Sequence, residues 1–289
     1  MKSIAATCSL CLLLVTGQAI GADCENWNTK EFFKTATVKR VTDCLHVGAD
    51  PNARDKYGFS PLHRAAESNK NPAVLTALVQ AGADPNAQAE FGTSPLHKAA
   101  GSNENPAVLT ALLQAGADPN ARNEDGFTPL HWAAMRNEKL EVITALLGAG
   151  ADLTARDKDG STPLHWAASF NENPAVITAL VGAGADLTAR DKLGSTPLHK
   201  AAVRNENPAV ITALVEVGAD LTARDIFGLT PLHEAAGYND NPDVISVLLD
   251  AGSDAKAKDK SGKTPFDLAQ ENERLKNTDA YWRLNDAQY

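Results

Sequence analysis

Beyond its first two dozen residues the chain is short of cysteine, of long apolar runs, of positive charge and of aromatic side chains. Of four cysteines, Cys8 and Cys11 fall in the apolar N-terminal run, so Cys24 and Cys44 are the one pair that follows it. No later stretch approaches the about 20 apolar residues that a membrane-spanning helix needs, and no basic amphipathic run offers a membrane surface contact. Lys and Arg number 27 against 36 Asp and Glu, a net charge of −9, which argues against a partner held through its phosphate backbone. Nucleic acid and membrane are therefore set aside as partners. There is also no nucleophile motif, phosphate loop or metal-ligand spacing. Every Ser, His and Asp that invites a catalytic reading recurs at a fixed period, whereas a catalytic centre is a single cluster, so no enzyme activity, metal or cofactor is expected.

What the chain has instead is a phrase. Pro-Leu-His-x-Ala-Ala starts at Pro61, Pro95, Pro129, Pro163, Pro197 and Pro231, each 34 residues after the last, and returns altered at Pro265-Phe266-Asp267-Leu268-Ala269. A period of this size indicates stacked structural repeats around one continuous core. In the copy from Gly160, Thr162 suits a helix N-cap and Pro163 the first helical position, where a missing N–H costs nothing. Leu164, Ala167 and Ala168 share one face, and the small alanines admit a neighbouring helix closely. A second helix opens at Asn173-Pro174 and stops at Gly184. The Asp- and Gly-rich segment from Ala185 to Gly194 reads as an extended, turn-containing link to the next unit.

These residues resemble the ankyrin repeat, whose Thr-Pro-Leu-His-x-Ala signature and period of about 33 residues they follow closely. The resemblance implies an all-α solenoid of helix-turn-helix units joined by hairpin-like loops, with six full repeats over residues 58–261. An N-terminal capping repeat is expected over 23–57 and a polar C-terminal cap and tail over 262–289, ending in a short helix around Tyr281-Trp282 that tucks its aromatic residues back. The linker Ser169-Phe170-Asn171-Glu172-Asn173-Pro174 is one residue longer than usual and carries Asn where the family commonly has Gly. Asn tolerates a left-handed backbone best after Gly, which accounts for the exchange. In the family the repeated histidine bonds its neighbouring Thr and the loop backbone, and Thr162 with His165 matches that pair. A metal role for the six in-register histidines is disfavoured, because ligands converge within about 2.1 Å of an ion while packed helices stand about 8–10 Å apart.

Residues 1–22 read as a secretory signal peptide: Lys2, an apolar core around Ile4 to Val15, and small residues Ala19, Gly21 and Ala22 before Asp23. The whole organisation resembles exported ankyrin-repeat proteins of proteobacteria, with a periplasmic or extracellular destination. In such a compartment Cys24 and Cys44 make a disulfide pair. Residues 29–37 and 38–47 look like antiparallel helices of a truncated first unit, which places the two cysteines side by side. The competing reading is that Cys44, at the position held by Leu78 one period later, is a buried thiol.

The copies beginning at Gly160 and Gly194 differ within their helices at Trp166/Lys200, Ser169/Val203, Phe170/Arg204, Gly182/Glu216 and Ala183/Val217. Three of these lie on the exposed side of the first helix, the side that in ankyrin repeats lines the concave groove. The aromatics concentrate there and at loop tips. Phe127, Trp132, Met135, Trp166 and Phe170 form the expected centre of a partner-binding groove, with Phe91, Phe227 and Tyr238 further along. Clustered accessible aromatics are the material of binding hot spots. The alternatives are that they cover alanine-rich helices, or that Trp132 and Trp166 form a ledge for a carbohydrate or other small flat ligand. The reading is an exported, monomeric, non-catalytic scaffold for a protein partner.

Overall fold

The computed structural model describes residues 24–289, and the regular structure among them is entirely helical. The leader expected over 1–22 lies outside the described residues. They fall into two compact units, 24–99 with 107–118 and 100–106 with 119–289. Both are built from one kind of helix pair.

The pair after Gly160 shows how. Helix Pro163–Phe170 begins at Thr162, whose backbone is extended, and proline occupies the first helical position without loss of a bond. Thr162 N–H donates to His165 Nδ1 at 3.1 Å, closing a capping box. Leu164, Ala167 and Ala168 are buried. The second helix, Pro174–Gly182, is capped by Asn173, which accepts from Ala175 N–H at 3.0 Å, and it buries Val176, Ile177 and Leu180. Gly184 at φ +102° then turns the chain, a conformation that strains any residue with a Cβ. The following loop is folded by Asp191, whose Oδ1 accepts from the N–H groups of Leu193 and Ser195, both at 2.9 Å.

In the first unit the truncated pair Lys30–Thr35 and Val38–His46 precedes the full pair Pro61–Ser68 and Pro72–Gln80. Cys24 and Cys44 are joined, with Cα atoms 5.7 Å apart, so the buried Cys44 is a half-cystine and not a thiol. Trp27, Phe32 and Phe33 pack ring against ring at 5.0–5.5 Å beside it. Asn28 donates to Ala53 O and Phe59 O at 3.0 and 2.8 Å, which fastens this cap to the next hairpin. The second unit closes with helix Pro265–Ala269, a polar turn, and helix Asp279–Asp286. Ala280 and Leu284 bury the inner side of that last helix, and Arg283 reaches Asp250 at 2.5 Å. Tyr281 folds onto Phe266 at 5.2 Å as expected, but Trp282 remains half exposed.

Within each unit two rows of buried polar side chains tie helix pairs to their neighbours. His165 receives the Thr162 N–H on Nδ1, so its proton sits on Nε2, which donates to Ser195 O at 3.1 Å, 30 residues on. His63, His131, His199 and His233 repeat this reach, to Thr93 O, Ser161 O, Leu229 O and Lys263 O. With both ring nitrogens engaged, none of these rings has a lone pair left for a metal. Burial holds His63 and His165 down at about 4, well below the usual 6.5, because a charged ring would lose its hydration. Between pH 6.5 and about 4 the unfolded chain binds more protons than the folded one, so this contribution is complete above pH 6.5 and lost on acidification through that window.

The second row corrects the linker reading. Asn171 is not left-handed: it sits at φ −81°, ψ 126°, and Asn173 at φ −89°, ψ 106°. The reason for Asn171 is its amide. Nδ2 donates to Ala134 O at 2.9 Å and Asn137 O at 3.1 Å, both in the preceding pair, while Oδ1 accepts from Asn173 N–H at 2.9 Å. Asn205 and Asn239 do the same one and two periods later. Replacing Asn171 by Gly is therefore expected to cost as much stability as replacing it by Ala, about 2–3 kcal/mol for a buried group of this kind. Denaturant titration of the two variants checks this; a harmless Asn171→Gly would restore the left-handed explanation.

Candidate partner-binding site

Position 166, the variable residue after the repeated histidine, stands on the first turn of its helix and faces the loop nine residues before it. Trp166 Nε1–H donates to Oδ2 of the buried Asp157 at 2.7 Å, which fixes the indole plane. Phe170, one turn later on the same helix, stacks on it at 5.6 Å and 16°. Phe127, from the preceding hairpin, meets its other side at 4.9 Å. Three of the expected residues thus form one wall, in which Phe127 and Trp166 are half buried and Phe170 is 43% exposed. Met135 is half buried and shares an open depression with Phe170, Arg136 and Glu172.

Trp132, expected to share a ledge with Trp166, is half buried and packs onto the preceding first helix. A Cβ built on Gly101 would come within 2.9 Å of Trp132 Cε3, so the indole lies on a glycine of the preceding first helix that leaves it room. Arg136 covers it, with the guanidinium 5.4 Å from the ring centroid. Phe227 and Tyr238 are exposed in the same unit, at 55% and 62%, and Phe91 is exposed at a hairpin tip of the first unit, held at φ 59°.

Beside the wall, Trp166, Phe170, Leu193, Lys192, Lys200 and Arg204 line a cavity of about 460 Å³. Lys200 occupies in its repeat the position of Trp166 and binds Asp191 at 2.6 Å. Arg64 pairs with Asp55 by the same nine-residue relation. This contact between the variable helix position and the hairpin Asp was missed in the sequence, although counting back nine residues from Arg64, Trp166, Lys200 and Glu234 reaches an Asp each time.

Glu234 breaks the pattern, for its hairpin partner is Asp225. Burial and then the Asp225 charge push its carboxyl up to about 7, against a pull downward from Lys200. Between pH 4.5 and 7 the unfolded chain has already lost this proton while the folded chain keeps it, so stability falls as pH rises through that window. Glu234→Gln is expected to raise the unfolding midpoint at pH 8 by about 2–6 °C and to leave it unchanged at pH 4. Thermal scans at the two pH values decide it; no difference at pH 8 would show that Glu234 carries its charge without penalty.

Models of two families match the chain. Ankyrin repeats (3 copies) match over residues 24–123, 62–157 and 130–225, and ankyrin repeats (many copies) over residues 214–269. No curated protein matches. The ankyrin repeat is a non-catalytic scaffold fold that mediates protein–protein interaction, and it accounts for the helix pairs, the capped first helices and the hairpin loops described above. The chain belongs to the ankyrin-repeat proteins.

Proposed function

We propose that the protein is exported and binds a protein partner on the first-helix and hairpin-tip face of residues 119–289. Phe127, Trp166, Phe170 and Met135 supply the apolar centre, and Phe227 and Tyr238 extend it. The observation that carries the reading is the contiguous ring wall with exposed Phe170 at its edge, in a fold that works by protein contact. An apolar centre bounded by charge, here Arg136, Lys200 and Arg204, matches the anatomy of protein interfaces. Export is supported by the leader pattern and by the Cys24–Cys44 bond, which persists in an oxidising compartment. The protein acts as a monomer in this reading.

The carbohydrate-ledge reading receives less support, because Trp132 lies on Gly101 and the Trp166 N–H is committed to Asp157. Those same contacts give both tryptophans a part in stability, so they are poor probes of binding alone. Phe170 and Met135 are better. With protein recovered from the exported fraction, its intact mass showing loss of 1–22, Phe170→Ala combined with Met135→Ala is expected to weaken partner binding by about 2 kcal/mol. The unfolding midpoint should stay close to that of the parent. Undiminished binding by this variant would remove the site from this face. Quenching of tryptophan fluorescence by oligosaccharides, with no protein bound, would favour the ledge.

A further inference from the structure

Two cations beside the aromatic wall have no acidic partner among the described residues. Lys192, at the hairpin tip, and Arg204, at the end of helix Pro197–Arg204, both line the cavity of about 460 Å³ with Trp166, Phe170 and Leu193. Both are exposed. Lys200, between them, is neutralised by Asp191 at 2.6 Å, and Lys158 by Asp125 at 3.6 Å. Among the described residues Lys192 and Arg204 have no carboxylate within the 4.0 Å of an ion pair. The Arg204 guanidinium lies instead 5.5 Å over the Phe170 ring. Asp159 shares the cavity, and Glu172 and Glu206 line the depression on the far side of Arg204 without pairing with it.

In a chain of net charge −9, a cavity lined by Lys192, Lys200 and Arg204 against Asp159 and Asp191 is a local reversal of sign. We infer that this cavity takes an acidic peptide segment of the partner: a bulky apolar side chain lies between Trp166 and Leu193, and the carboxylate of a neighbouring Asp or Glu is held by Lys192 and Arg204. The inference rests on the partner-binding reading above and narrows it to a chemical class. A guanidinium held over a ring keeps donors free for a two-point bond to a carboxylate, which a solvated ammonium does less well. The next repeat also sets direction. There Glu234 with Asp225 replaces Lys200 with Asp191, so an acidic residue of the peptide finds no cation one step along, which favours the register at Lys192 and Arg204.

A phage-displayed library of random dodecapeptides, panned on the chain lacking 1–22, tests this without knowledge of the partner. Enriched peptides are expected to carry Asp or Glu beside Leu, Phe or Trp. Binding of the corresponding synthetic peptide should fall about tenfold or more in Lys192→Glu with Arg204→Glu, and it should weaken with added salt. Circular dichroism verifies that this exposed-charge variant is folded. Basic or uncharged enriched peptides, indifference to the charge reversal, or no enrichment at all would each overturn the inference. If enriched peptides lose binding on Phe170→Ala but ignore the charge reversal, the binding face stands and only the anionic class fails. If they ignore both, the face fails as well.

Discussion

His165 holds its own helix start through Nδ1 and donates through Nε2 to Ser195 O at 3.1 Å in the next repeat. The Asn171 amide reaches the opposite way, to Ala134 O and Asn137 O in the repeat before. Both side chains are buried, and a buried donor left without an acceptor costs about 1–3 kcal/mol. A helix pair of this kind is therefore incomplete alone on both sides, which is why the sequence has to repeat. The ends answer the same constraint. At the beginning, Phe33 O and Ala36 O receive the Asn69 amide at 2.7 and 2.9 Å. At the end, Asp267 replaces the histidine: its Oδ2 accepts the Thr264 N–H at 2.7 Å, and it has no second donor that would need a further repeat.

With polar bridges and alanine-lined helix contacts assigned to fixed positions, the residue after each histidine is released from framework duty. At positions 64, 166, 200 and 234 it meets the hairpin Asp nine residues earlier, and its chemistry is free to change. Trp166 binds Asp157, Lys200 binds Asp191, and Glu234 opposes Asp225. One row of positions thus presents an indole, a neutralised cation and a raised carboxyl on successive repeats. That variation on a constant frame sets the surface chemistry of the face from Phe127 to Arg204, while the core beneath it is nearly the same in each repeat.

Much of this was legible in the residues. The period, the Thr-Pro helix starts, the buried Leu and Ala positions and the Cys24–Cys44 pairing follow from local chemistry and spacing. The role of Asn171 did not, because its identity alone cannot distinguish a left-handed backbone from an amide that reaches a neighbour's carbonyls; only the stacking supplies those carbonyls. Where Trp132 rests was not legible for a similar reason. Its resting place is made by Gly101, a repeat away, and a glycine inside a helix carries no mark of what lies across it. Phe170 was legible as exposed, and Trp166 as variable, but the hydrogen bond that fixes the indole joins two residues that only the hairpin brings together.

The bridging histidines are the most direct point of test. Nitrogen NMR of the imidazoles between pH 7 and 4 reports both tautomer and protonation. The account predicts that His63 and His165 carry the proton on Nε2 and stay neutral until pH approaches about 4, with any earlier protonation accompanied by unfolding. Imidazoles that titrate near the ordinary value while the fold remains intact, or that carry the proton on Nδ1, would contradict it.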